Sequence, residues 1–314
     1  MNKEGSLSIN SENIFPIIKK WLYSDHDIFF RELVSNGCDA VTKLKKLDMI
    51  GEYTIPEGKE LCVKVTADAE TKTITFTDNG IGMDANEIDQ YINQIAFSGA
   101  RDFLDKYKDK TNDDQIIGHF GLGFYSAFMV ADRVTIDSLS YKEGAKAVHW
   151  ESDEGTSFEM TDSAKTEIGT TITLYLNEDS YEFCNEYRAK EILDKYCSFM
   201  PIPIYFEAIK TAEEQARIDE AEKKAKEEEE KRKAEEAAKK AADGEAAEAE
   251  TEAEPVEKAP ETPKPINETT PLWAKHPNEC TDEEYKEFYH RVFHDYKEPL
   301  FWIHLNMDYP FNLK

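Results

Sequence analysis

An α+β fold is predicted: a two-layer sandwich in which a mainly antiparallel sheet carries helices on one face. Three observations lead there. Four short alternating runs, RVTIDSLS, KAVHWES, TSFEMTD and TTITLYL, follow one another, separated by turns such as KEGA and DEG. Upstream, Cys62 to Asp68 and Thr73 to Asp78 alternate around a polar turn and read as a hairpin. Ahead of both groups, HDIFFRELVSNGCDAVTKLKKLDMI has the apolar spacing of one long helix.

Composition bounds the function. The 314 residues suffice for two domains, and 40% hydrophobic with 11% aromatic residues permit a sizeable core. The formal net charge of -27 argues against a nucleic-acid partner, which needs a basic surface. It also means that a phosphate ligand must bring a metal ion or use backbone N–H groups. Cys38, Cys62, Cys184, Cys197 and Cys280 are scattered, without a CxxC pair. Reduced thiols of a cytoplasmic protein fit that pattern better than a disulfide framework or a zinc site. The N-terminus lacks the apolar core of a signal peptide, and no run of about 18 apolar residues exists to span a membrane.

The chain divides in three. Residues 1–210 hold the mixed strands and helices. Residues 211–265 are rich in Ala, Glu and Lys, then acidic and proline-terminated, with no aromatic residue; they cannot bury enough apolar surface to offset chain entropy. This stretch reads as a disordered charged linker, and no a/d repeat supports a coiled coil. In residues 266–314 aromatics return. Thr281 and Glu284 form a capping box ahead of a helix, and FWIHLNM reads as a strand. The block looks like the start of a domain.

Within the long helix, Glu32, Asn36, Asp39 and Lys43 stand at i, i+4, i+7 and i+11, within roughly 60° of one another. Phe30, Leu33, Val34, Gly37, Val41 and Leu44 cover the opposite side. The polar stripe suits a solvated face or the wall of a ligand site. After the hairpin comes DNGIGM, Asp78 to Met83, either a plain Asn-Gly turn or a turn whose backbone approaches a flat ligand. Asp84 and Glu87 then open a helix as N-cap and N3, and that helix is expected to stop near Ser98 and Gly99. GHFGLGF, Gly118 to Phe124, leads into a second expected helix, YSAFMVA. Glycines there suit an anion cradle or a hinge. KYKDKTNDDQ between the glycine clusters could swing as a lid. Thr170 begins a strand, where a hydroxyl ordinarily faces a neighbouring strand.

Taken in order, ELVSNGCDA, DNGIGM, GHFGLGF and GTTITL resemble the four-part pattern of the ATPase superfamily that contains gyrase, the ninety-kilodalton heat-shock chaperone, histidine kinases and mismatch-repair MutL. FFRELVSNGCDA, DNGIGMD, IAFSG, IGHFGLGFYSAFMVADRV, the charged linker and PLW are similar to the HtpG-type bacterial branch of the chaperone family, over nearly all of the chain outside the linker.

That resemblance implies an ATP or ADP pocket with the opening stripe as one wall and the sheet as floor. Asp78 would accept from the adenine amino group, with Thr170 close by and partly through water. Met83 and Phe124 would give apolar contact. Asn36 would coordinate Mg²⁺, and Asp39 and Lys43 would lie near the sugar-phosphate end. Glu32 would be the catalytic base that orients and deprotonates water. Gly118, Gly121 and Gly123 would close around the phosphates. Gly82, Ser98, Gly99 and Phe120 would also line the nucleotide. Phe97 stands where relatives carry lysine, with Arg101 a candidate substitute; Tyr91 replaces an asparagine, and His119 a glutamine.

The implied function is an ATP-driven chaperone acting on unfolded client proteins. The whole protein would pair as a homodimer through a C-terminal region beyond this chain. The 314-residue chain would be monomeric and weak in hydrolysis, because the family's transition-state arginine comes from a later domain. Two rivals are a nucleotide sensor without hydrolysis, which needs no Glu32, and a gyrase-like or MutL-like DNA enzyme, which the acidic charge opposes.

Overall fold

The structure is a computed structural model. It describes residues 25–94, 116–118, 121–153, 155–211, 263–293 and 295–305, with single positions 97, 99, 103, 106, 107, 215, 217 and 223 between them. Most of the linker and of the KYKDKTNDDQ stretch, together with Ser98, Arg101, His119 and Phe120, lies outside the described residues.

Seven strands form one sheet: β1 (Val63–Asp68), β2 (Thr73–Asp78), β3 (Ala131–Leu139), β4 (Val148–Asp153), β5 (Glu159–Asp162), β6 (Gly169–Leu176) and β7 (Ile204–Ile209), in the order β5-β4-β3-β6-β2-β1-β7. All neighbours are antiparallel except β1 and β7, which run parallel. The inward rows of the central strands are largely apolar: Val63, Val65 and Ala67 on β1, Ile74 and Phe76 on β2, Val134 and Ile136 on β3, each at most 3% exposed. On the opposite face, threonine hydroxyls pair across β2 and β6, Thr75 with Thr173 and Thr77 with Thr171. The two-residue period thus separates core from solvent, as alternation requires.

Helix α1 (Ile28–Met49) lies on the inner face. Phe30, Leu33, Val34, Val41 and Leu44 are at most 2% exposed. Each such side chain contributes roughly 1.5–3 kcal/mol by leaving water. Phe29 and Phe30 meet Phe76 and Phe183 in an edge-on cluster, with Phe29 and Phe183 centroids 5.1 Å apart. Helix α2 (Ala85–Tyr91) starts at the expected capping box: Asp84 accepts from Asn86 and Glu87 N–H groups, and Glu87 accepts from Asp84 N–H at 2.9 Å.

Four features differ from the sequence-based expectation. Helix α2 ends at Tyr91, well before Ser98 and Gly99. Asn93 accounts for this: its amide donates back to Asp89, and its oxygen accepts the Trp150 indole N–H from β4. The run after the second glycine cluster is a 3-10 helix (Gly123–Met129), not an α-helix. Ser126 donates to the Gly123 carbonyl at 2.6 Å, and Tyr125 N–H bonds back three residues to Leu122, so the tighter winding prevails. Residues Phe301–Leu305 form no strand; a strand needs a ladder partner, and none pairs with them among the described residues. Strand β7 was not anticipated, nor was α3 (Glu186–Cys197), which packs against α1.

After the linker, the chain returns to the sheet edge. Ile266 N–H donates to the Ile204 carbonyl at 2.8 Å, and Glu268 N–H to Ser198 at 2.7 Å. Asn267 is 8% exposed, and its amide joins three backbone groups: it accepts from Ile204 N–H and donates to the Met200 and Ile202 carbonyls. Phe199 then meets Trp273 and Phe288 of α4 (Asp282–Phe293), whose expected Thr281–Glu284 capping box is present. Replacing Asn267→Ala strands the Ile204 N–H and two carbonyls. Urea unfolding should show a loss of about 2–4 kcal/mol, against well under 1 kcal/mol at an exposed control site.

Candidate functional site

Within the largely apolar inner face, three polar residues stand side by side, one on each of three adjacent strands. Asp78 on β2 pairs with Thr170 on β6, and Thr170 with Ser138 on β3, so they form one row across the floor. Apolar Val63 and Val148 flank the row. All three are buried: Asp78 is 8%, Thr170 5% and Ser138 0% exposed. Asp78 Oδ1 accepts the Gly80 N–H at 2.8 Å. Ser138 Oγ accepts the Met83 N–H at 2.8 Å and lies 2.9 Å from Thr170 Oγ1.

Above this floor opens a cavity of about 1340 Å³. The stripe of α1 forms its wall, for Glu32, Asn36, Asp39 and Lys43 all line it. The turn after β2 contributes Gly82 and Met83. Gly99, Gly118, Gly121, Gly123 and Phe124 line the remaining side, with Asp78 and Thr170 below. The sequence-predicted residues that the structure describes therefore meet in one place; Ser98 and Phe120 lie outside the described residues.

Two glycines are dictated by backbone. Gly82 has φ 59° and lies against the Leu139 carbonyl; Gly121 has φ 64° and lies against the Phe97 carbonyl. A side chain at either would suffer both the left-handed conformation and a collision. Asn79 fixes the same turn from the other side: its oxygen accepts Cys62 N–H and its amide donates to the Glu60 carbonyl.

Individual roles are more constrained than the spacing implied. Asp39 is 5% exposed and grips the glycine segment, accepting Ile117 N–H at 2.8 Å on one oxygen and Gly118 N–H at 2.7 Å on the other. Glu32 is held by Arg31 at 2.6 Å through Oε1, while Oε2 faces Gly123, where a Cβ would sit 2.5 Å away. Lys43 Nζ lies 5.9 Å from the centre of the Phe103 ring. Phe124 is 6% exposed and packs edge-on against Trp150 and Phe128. Phe97 stacks on Tyr91, 5.9 Å between centroids, so the two departures from the family pattern form one aromatic pair on the cavity wall.

Ser138 was missed by sequence reasoning. Its signal was a small polar residue where the alternation of Val134 and Ile136 calls for an apolar one. Lys142 was missed as well; it bridges Asp84 at 2.8 Å and Glu87 at 2.9 Å at the cavity rim.

Burial pushes the Asp78 carboxyl up to about 7; the Gly80 N–H, then Lys165 and the Thr170 N–H, act against the rise. The folded value lies above the ordinary 3.8, so between the two the folded chain keeps a proton that the unfolded chain loses. This group therefore costs nothing below about pH 4, and its penalty grows as pH rises to about 7. Asp78→Asn cannot titrate. Its melting temperature should gain on wild type as pH rises across that window, by an amount on the order of a few kcal/mol in stability. Parallel curves for the two proteins would contradict the assignment.

Comparison with known proteins adds two findings. A family model described as "Histidine kinase-, DNA gyrase B-, and HSP90-like ATPase" matches residues 28–179, and one described as "Hsp90 protein" matches residues 182–314. The chain is similar to a chaperone protein HtpG of Bacteroides fragilis, 48% identical over 99% of this chain and 39% of that protein. It is likewise similar to one of Porphyromonas gingivalis, 42% identical over 100% and 40%, and to one of Shewanella pealeana, 36% identical over 90% and 40%. The chain spans about 39% of the length of the first of these relatives. Among the described residues, no helix is long and apolar enough to cross a membrane.

Proposed function

This chain belongs to the Hsp90 family, and we propose that its cavity binds ATP and ADP as the nucleotide site of an ATP-dependent chaperone. Asp78 carries the reading. A carboxylate buried at the floor of a large cleft, beside two hydroxyls, is matched by a base with an amino donor; a base without that donor leaves it unpaired. The base would lie over the row, with Met83 and Phe124 as apolar sides. The phosphates would point toward Asn36 and the glycine segment.

Mg²⁺ fits the donor set of the wall. Asp39 is committed to backbone N–H groups and Glu32 to Arg31, while Asn36 offers a neutral amide oxygen next to Gly118. A hard cation that keeps its waters and binds chiefly to phosphate needs little more from the protein. When bound it would supply the positive charge that so acidic a chain lacks. Glu32 would take the proton of the water that attacks the terminal phosphate, with Arg31 fixing its orientation. A sensor without hydrolysis would leave Glu32 without a chemical role.

In the whole protein the hydrolysis cycle would act on unfolded or partly folded clients, as the chaperone names of the relatives suggest. We divide the chain into a nucleotide-binding domain to residue 210, a charged linker at 211–265 and the beginning of a further domain from 266. Five free thiols fit a cytoplasmic setting.

Calorimetric titration with ADP and Mg²⁺ tests the reading directly. Asp78→Asn should bind no ADP while keeping its circular dichroism, because an amide can present N–H to the amino donor. Micromolar affinity in the folded variant would place the base elsewhere. Glu32→Ala should hold its ADP affinity within a few-fold. In the whole protein, its hydrolysis should fall by about 10²–10⁴, the usual worth of a general base. Unchanged hydrolysis would reduce Glu32 to a wall residue.

A further inference from the structure

We infer that Ser138 is a positioning residue that turns the Thr170 hydroxyl outward as a donor, so that the site selects a purine with a bare ring nitrogen beside its amino group. The inference rests on the nucleotide reading of the same cavity. Its basis is proton counting within the buried row.

Ser138 Oγ has one proton to give and is fully buried. It already accepts the Met83 N–H at 2.8 Å. Two acceptors stand within reach of its proton: Thr170 Oγ1 at 2.9 Å and the Gly169 carbonyl at 3.4 Å. The shorter contact is the stronger one. Donation to Thr170 satisfies Ser138 on both sides and occupies a lone pair of Thr170. The Thr170 proton must then point away from Ser138. Asp78 and the cavity lie on that side, since Thr170 is flanked by Ser138 on one strand and Asp78 on the other. The opposite polarity would leave Ser138 with only the long Gly169 contact and turn a lone pair toward the cavity.

The floor therefore presents an acceptor, Asp78, next to a donor, Thr170, on neighbouring strands about 5 Å apart. Adenine carries the complement: an amino donor next to a ring nitrogen with a free lone pair. Hypoxanthine and guanine carry a carbonyl next to an N–H, which opposes both positions. Asp78 reads the amino group; Ser138, acting through Thr170, sets the reading of the ring nitrogen, directly or across one water.

The test compares ADP with 1-deaza-ADP, which keeps the amino group and replaces that ring nitrogen by C–H. By calorimetry, wild type should prefer ADP by about tenfold, the worth of one good hydrogen bond. Ser138→Ala frees the Thr170 hydroxyl to rotate, and the preference should shrink to about twofold; Ser138→Thr should restore it. Ser138→Cys, close in shape and a weak donor, carries the same test should alanine unfold the domain. Equal losses of both affinities with the ratio kept would mean a purely structural role and overturn the inference. So would a wild-type ratio near unity. Failure of wild type to bind either nucleotide would instead overturn the nucleotide reading, and the inference with it.

Discussion

Asp78 is buried on backbone N–H groups, with no lysine or arginine in ion-pair range among the described residues. A carboxylate in that state demands that the surrounding main chain be held close and still. The upper layer is arranged to do so. The backbone of α1 comes so near the turn after β2 that a Cβ on Gly80 would overlap Ala40, and Ile81 N–H donates to the Ala40 carbonyl at 3.2 Å. The turn is tied onward to β3 through Met83 and Ser138, and Tyr141 N–H closes on the Ile81 carbonyl at 2.8 Å. Helix, turn and sheet are thus joined at one point, and the cavity wall stands where that joint puts it.

The charges around the cavity follow a related economy. Arg31 is engaged by Glu32, and Lys142 by Asp84 and Glu87. Asp39 spends both oxygens on the glycine segment. Most ionised groups on the wall therefore hold the wall together. An anionic ligand entering so acidic a molecule would meet positioned dipoles and partly neutralised cations, which orient it without gripping it by bulk charge.

What could be read before folding was whatever depends on neighbours in sequence. The two capping boxes, at Asp84–Glu87 and Thr281–Glu284, are four-residue patterns and appear as expected. The α1 stripe depends only on helical pitch. Asp78 and Thr170 were singled out by the DNGIGM and GTTITL motifs and the resemblance they carry; that they share one face came only with the register of β2 and β6. Ser138 escaped because its meaning comes from register: only when β3, β6 and β2 align does a serine become the third member of a polar row. Asn267 and β7 escaped for the same reason, since β7 pairs with a strand well over a hundred residues earlier. Asp39 was found, but its partners at Ile117 and Gly118 were not, because no local pattern records which amides a carboxylate will accept. The 3-10 winding after Gly123 was hidden by a single serine that competes for a carbonyl.

The return of the chain at Ile266 brings the two flanks of the acidic stretch together. Strand β7 ends at Ile209, and the main chain is bonded back to Ile204 at Ile266. Both flanks are therefore fixed to the same short edge. Closing such a loop costs an entropy that grows only with the logarithm of its length, about 0.6 kcal/mol for each doubling when the chain is flexible. Insertions and deletions between the flanks would thus be nearly invisible to stability. Substitutions at the seam, Asn267 above all, would be felt at full strength. Evolution is free to rewrite the length and charge of what lies between, and held to account at its two ends.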